Sequence, residues 1–227
     1  MLTVPGLCWL CRMPLALSRW GICSVCTRAL GESATLCPQC GLPATRQNVS
    51  CGRCLQSPPP WRALVTVNAY RPPLSSLLHR LKFSRQSSLA QPLARLMLLA
   101  LLQARRTRAL ADADLLVCVP LHRHRHWRRG YNQSDLLCRP LARWLGCRYV
   151  PSALTRIHAA ALQHRLNARQ RKKNLKNAFR LEIPVNGLHI ALVDDVVTTG
   201  STVAELSRLL LQSGAASVQV WCLCRTL

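Results

Sequence analysis

Ala191-Leu-Val-Asp-Asp-Val-Val-Thr-Thr-Gly-Ser-Thr202 is the stretch that decides the fold of this 227-residue chain. The run from Ile190 to Val193 is short, apolar and rich in branched residues, which is the composition of a strand buried on both faces of a parallel sheet. It leads into two adjacent carboxylates, Asp194 and Asp195, in a chain with only eight acidic residues against 31 Lys and Arg. Two apolar residues follow, then the small hydroxylated turn Thr198, Thr199, Gly200, Ser201 and Thr202. From Val203 to Gln212 the apolar residues take helical spacing, and Gly214 lies just past the end as a stop signal.

The chemistry of this stretch is specific. A Gly-Ser-Thr turn at a helix N-terminus gathers unpaired backbone N–H groups and the positive end of the helix dipole at one point, which suits a phosphate. Two carboxylates beside it can accept hydrogen bonds from vicinal hydroxyls or face a hydrated Mg2+. Phosphate next to vicinal hydroxyls describes a ribose 5-phosphate. The plain alternative is a solvated acid pair before a helix cap, which leaves the agreement of run, acids, spacer, turn and helix unexplained.

Outward from this stretch, strands and helices alternate. Strands are expected over 61–69, 115–120, 147–153, 189–194 and 217–224, and helices over 74–83, 89–106, 132–144 and 202–213. Pro92 takes a first-turn position and Gly146 ends the third helix. Short links between such elements argue an α/β fold with a doubly wound parallel sheet. The loops after strand 115–120 and after Val193 then share the sheet's ligand edge.

The first 57 residues read differently. Eight of the 13 cysteines fall in four C-x-x-C pairs: Cys8 and Cys11, Cys23 and Cys26, Cys37 and Cys40, Cys51 and Cys54. Each pair is a tight turn aiming two thiolates at one ion, so eight ligands predict two closed structural Zn2+ sites. Neighbouring pairs are expected to combine, giving a small double zinc ribbon over 1–57, though the spacing alone also allows crossed pairing. Ser57-Pro-Pro-Pro60 is a stiff connector, placing a linker at 58–61 and the main domain at 62–227. Cys118, Cys138, Cys147, Cys222 and Cys224 lie in apolar contexts and read as small buried hydrophobes. The longest apolar run, Leu96 to Leu102, is far too short for a membrane span, and the N-terminus lacks the form of a signal peptide. No membrane insertion and a cytoplasmic location are therefore expected.

The formal charge is +23. Carrying eight thiolates and two Zn2+, residues 1–60 sum to zero, so the remaining 26 basic and 7 acidic residues carry a surplus of 19. That exceeds the need of one sugar phosphate and points to a polyanion, most simply nucleic acid. Two segments concentrate it. His122-Arg-His-Arg-His-Trp-Arg-Arg129 follows strand 115–120, where His122, Arg123, Arg125 and Arg129 would grip a pyrophosphate and Trp127 could stack a base. A solvated basic loop is the bland reading. Residues 156–180 hold eight Lys or Arg and no acid; there Arg165, Arg169, Arg171, Lys172 and Lys173 would act as a lid over a polyphosphate or as a polyanion contact.

The acid-pair stretch resembles the PRPP loop of type I phosphoribosyltransferases. The resemblance implies that Asp194 and Asp195 hold the ribose hydroxyls and that Thr198, Thr199, Gly200, Ser201 and Thr202 hold the 5-phosphate of PRPP or a related sugar phosphate, with Mg2+. The 6-oxopurine enzymes of that family carry a third Asp where this chain has Thr198, which cannot accept a proton near pH 7, so hypoxanthine or guanine is disfavoured. Thr198 is more like the orotate enzymes.

Together with Pro120, Arg129-Gly-Tyr-Asn-Gln133, Gln163, Leu166, Arg169, Asn174, Ala178-Phe179 and the cysteine pairs, the chain resembles the ComF/GntX family along essentially its whole length, and its GntX-like branch in particular. That family joins a zinc segment to a phosphoribosyltransferase-like domain and is associated with competence and the use of extracellular DNA. The resemblance implies a cytoplasmic DNA-utilisation factor with a PRPP site and a nucleic-acid partner, reached directly or through other proteins. The alternative is an active phosphoribosyltransferase acting on an acceptor other than a 6-oxopurine. No general base is legible in the sequence.

Overall fold

The computed structural model describes residues 6–31, 35–46, 48–84, 86–108, 110–121, 130–157 and 178–226. Five strands form one all-parallel sheet: β1 (Ala63–Ala69), β2 (Leu115–Cys118), β3 (Arg148–Tyr149), β6 (His189–Val197) and β7 (Ser217–Arg225), in the order β1-β7-β6-β2-β3. The remaining strands, β4 (Leu154–Arg156) and β5 (Phe179–Leu181), form a separate antiparallel pair.

Both faces of the sheet are covered, which is why its strands read as unbroken apolar runs rather than alternating ones. One face carries Val65, Val67, Leu116, Ala191, Val193 and Leu223 under the helices α3 (Leu74–Phe83), α4 (Ala90–Arg108) and α5 (Gln133–Leu145). The other carries Leu64, Leu115, Val117, Ile190, Leu192 and Val220 under α6 (Ser201–Gln212), which inserts Val203, Leu206 and Leu210. The expected doubly wound parallel sheet is therefore present.

Three boundaries differ from expectation for identifiable reasons. The strand expected to stop at Asp194 runs on to Val197, because β7 is long enough to pair with it past the acids, Asp194 with Cys222 and Val197 with Arg225. The strand expected over 147–153 shrinks to Arg148–Tyr149, since Pro151 has no N–H to donate and the chain turns there. The pair β4–β5 was not foreseen; its strands are three residues each and lie far apart in sequence.

The cysteine-rich segment contains the short helices α1 (Ser24–Gly31) and α2 (Gly52–Gln56). Its first half keeps no core of its own: Cys8, Leu15, Ile22 and Leu30 are buried in the same cluster as α3 and α4. Arg80 and Arg95 of those helices stack on Trp9 and Trp20, with guanidinium-to-ring distances of 4.8 and 4.5 Å. Its second half covers β1, the sheet's edge strand, through a hydrogen bond from Leu64 N–H to Pro38 C=O at 2.9 Å.

Candidate functional site

The end of β6 presents the two carboxylates to different partners, as successive strand side chains diverge. Asp195 is 9% exposed and its Oδ2 lies 2.7 Å from Lys82 Nζ at the end of α3. Asp194 Oδ1 accepts the N–H of Asp195 at 2.8 Å and the hydroxyl of Ser134 at 3.2 Å. Lost hydration, then the adjacent Asp195 charge, raise the Asp194 carboxyl to about 7; the Asp195 N–H, Lys82 and Ser134 oppose that rise.

The turn follows directly. Thr198 and Thr199 are exposed, Gly200 takes the left-handed conformation at φ 80°, and α6 starts at Ser201 with no side-chain cap. The Thr199 and Ser201 hydroxyls lie 2.8 Å apart. Thr199 Oγ1 takes the Ser201 N–H in a long contact of 3.4 Å; with no cap from Gly200, the rest of the N-terminus of this 12-residue helix leaves donors and dipole facing the open end of the turn. The structure thus brings Asp194, Asp195 and Thr198–Thr202 together at the carboxyl edge of the sheet. His122, Arg123, Arg125, Trp127 and Arg129, and Gln163, Arg165, Leu166, Arg169, Arg171, Lys172, Lys173 and Asn174, lie outside the described residues.

Sequence reasoning missed Lys82 and Ser134. Lys82 is one cation among 31 and nothing local marks it; only the packing of α3 on the sheet carries it to Asp195. Ser134 falls, as expected, in the first turn of α5, but nothing in the sequence marks it as a neighbour of Asp194. Asn132 caps that helix, its side chain accepting the Ser134 N–H at 3.1 Å and donating to Val119 C=O at 3.0 Å. A cavity of about 720 Å³ opens beside this cap, lined by Pro120, Tyr131, Asn132, Asp135, Ser152 and Arg156 among others.

The cysteines gather as two neighbouring-pair groups, Cys8, Cys11, Cys23 and Cys26, and Cys37, Cys40, Cys51 and Cys54, with all four sulfurs of each within 4.8 Å of one another. Cys11 and Cys23 sulfurs lie 3.7 Å apart, as do those of Cys40 and Cys51. Tetrahedral thiolates at ~2.3 Å from Zn2+ have edges of about 3.8 Å, so both groups fit that ion. Backbone amides reinforce the donors: Cys23 N–H points to Cys8 Sγ at 3.4 Å and Cys51 N–H to Cys37 Sγ at 3.3 Å. Burial pushes Cys8 and Cys37 up, but such amides outweigh it and bring them down to about 6 and about 7. Burial, then the neighbouring thiols, raise Cys26 of the first group to about 12 and push Cys54 of the second up, and burial also raises Cys40. Outside the groups burial raises Cys118 and Cys147 to about 11 and Cys222 to about 12. Among the described residues no helix is long and apolar enough to cross a membrane.

The chain is 68% identical over 227 residues, 100% of both chains, to the DNA utilization protein YhgH of Escherichia coli O6:H1. It is 41% identical over 221 residues, 96% of both chains, to Competence protein F of Haemophilus influenzae. Among solved structures it is similar to glutamine phosphoribosylpyrophosphate amidotransferase from B. subtilis, with a TM-score of 0.42 and 17% identity over 70% of this chain and 31% of that one. No protein-family model matches the chain.

Proposed function

Because the chain belongs to the ComF/GntX family, we propose that it is a cytoplasmic factor in the uptake and use of extracellular DNA, built around a site for PRPP or a related sugar phosphate. The observation that carries the sugar-phosphate part is the junction of β6 and α6, where an acid pair and an uncapped helix N-terminus adjoin. Thr198–Thr202 would receive the 5-phosphate. Asp194 and Asp195 would accept the ribose hydroxyls, Asp195 exchanging its contact with Lys82 for one with ligand. Mg2+, entering with PRPP, would neutralise the pyrophosphate. The names of the relatives support the DNA part, and the surplus of 19 positive charges beyond residue 60 supports direct contact with a nucleic acid. Zn2+ in the two four-cysteine groups would be structural: four thiolates close the coordination shell and leave no position for substrate.

One observation favours a second reading, turnover as a phosphoribosyltransferase. The cavity lined by Asn132, Asp135 and Arg156 adjoins the cap of α5, whose Ser134 reaches Asp194, so an acceptor held there would stand next to the acid pair. Thr198 still argues against a 6-oxopurine acceptor.

Calorimetric titration of the zinc-loaded protein with PRPP and Mg2+ tests the site. Micromolar binding that disappears in Asp194→Asn/Asp195→Asn is the expected result, with DNA affinity retained or increased in the same variant. A folded, metallated protein that ignores PRPP sinks the sugar-phosphate part.

A further inference from the structure

The second four-cysteine group touches the phosphate turn through two side chains, and among the described residues the first does not share this arrangement. Arg225, the last residue of β7, is 7% exposed. Its Nε donates to Cys40 C=O at 3.0 Å, and one terminal nitrogen donates to Val197 C=O at 3.0 Å and Thr226 C=O at 2.9 Å. One guanidinium thus joins a ligand residue of the cysteine knuckle to the residue that precedes the turn. Trp61 makes the second link. Its indole N–H donates to Gln39 C=O, inside the same knuckle, at 2.6 Å. Its ring lies against the turn, where a Cβ on Gly200 would be 3.3 Å from Trp61 Cη2. On the knuckle's side the fit is as close: a Cβ on Gly41, at φ 68°, would meet Leu64 Cδ2 at 2.6 Å.

The charge of Arg225 is the informative part. Among the described residues its ion pairs include no carboxylate, although a buried cation needs compensation. Four thiolates around a divalent ion carry a net charge of −2, and Cys40 is one of those ligands. With metal bound, the knuckle would be an anion next to Arg225, whose Nε donates to the Cys40 C=O on that side, while on the other side the guanidinium anchors the carbonyl before the turn. The first group is attached elsewhere, through Trp9 to Arg80 and through Trp20 and Ile22 C=O to Arg95.

We infer that Arg225 and Trp61 are positioning residues through which the second cysteine centre holds the phosphate turn in its binding conformation, so that loss of metal from Cys37, Cys40, Cys51 and Cys54 loosens Val197–Thr202 and weakens sugar-phosphate binding. The ligand half rests on the sugar-phosphate reading above; the positioning half does not.

The experiment uses the full zinc-loaded chain and compares wild type with Arg225→Met, Arg225→Lys, Trp61→Phe and, as a control at the first centre, Arg95→Met. Zinc content and melting temperature are checked for each. The first readout is amide hydrogen exchange in peptides spanning 197–202, which needs no ligand. The second is calorimetric affinity for PRPP with Mg2+. Arg225→Met and Trp61→Phe should exchange faster in this segment and lose about tenfold in affinity, the scale on which small displacements of positioned groups act. Arg225→Lys, which keeps a donor and a charge, should recover part of both. Arg95→Met should leave both readouts near wild type even if it melts earlier. Unchanged exchange at 197–202 in Arg225→Met, or equal loosening in Arg95→Met, overturns the inference. Exchange differences in the Arg225 and Trp61 variants together with a wild-type protein that ignores PRPP overturn the ligand half along with the sugar-phosphate reading and uphold the positioning half.

Discussion

Asp194 and Asp195 share a peptide bond but not an environment. Asp195 meets a cation at 2.7 Å, whereas Asp194 meets a hydroxyl and one amide. Burial and the neighbouring charge raise the Asp194 carboxyl from 3.8 to about 7, so the folded chain holds a proton there that the unfolded chain releases. The stability contributed by this group is full below its ordinary range and is lost as pH rises through the folded value. Denaturant unfolding should therefore show wild type losing stability relative to Asp194→Asn between about pH 4 and about pH 7; a relative gain over that window contradicts the assignment. Ligand binding runs the other way, because only the ionised group accepts from two hydroxyls. PRPP affinity should rise through the same range. Lys82 can be tested separately. Lys82→Met should cost about 2 kcal/mol, less than the ~3–5 kcal/mol of a fully buried pair, because 17% of the Lys82 side chain still meets solvent. Adding Asp195→Asn should return part of that cost in a double-mutant cycle, and strict additivity would mean that the pair is not coupled.

At the scale of elements, the site depends on how two helices begin. α6 starts without a side-chain cap, and its open N-terminus faces the turn. α5 starts with one, and the cap does two jobs: Asn132 holds the Ser134 N–H and ties the helix to β2 through Val119 C=O. Ser134 in turn reaches Asp194. Asn132→Ala should cost about 1 kcal/mol of stability, the usual worth of a cap, and should also weaken PRPP binding by displacing Ser134. Asn132→Asp keeps the cap acceptor and should recover most of the stability; equal losses in both variants would mean that the bond to Val119, not the cap, carries the effect. The ends of these helices were legible because caps and stops are local chemistry: Asn132 and Gly146 frame α5 as the composition suggests. The end of β3 was less so, and β4–β5 not at all, since pairing between three-residue strands is decided by what lies beside them.

On the scale of the whole molecule, the proposed nucleic-acid contact rests on the distribution of charge. Metal-loaded, residues 1–60 are neutral, and the surplus of 19 lies in the remainder. If this part meets DNA directly, log affinity should fall linearly with log salt, by roughly 0.9 for each phosphate neutralised, and Asp194→Asn/Asp195→Asn should not weaken it. Weak binding that ignores salt would sink direct contact. The sequence by itself determined the parallel α/β frame, the eight candidate metal ligands and the acid-pair turn. All three are written in short-range patterns: apolar runs, C-x-x-C spacing, and acids next to a Gly-Ser-Thr helix start. Only the tertiary structure decided that the cysteines group as neighbouring pairs, that Lys82 and Ser134 reach the acids, and that Arg225 and Trp61 join the second knuckle to the turn. Those contacts link residues far apart along the chain, up to the 185 positions between Cys40 and Arg225. Such pairs leave no periodicity to read, because packing and the compensation of buried charge act through space rather than along the sequence.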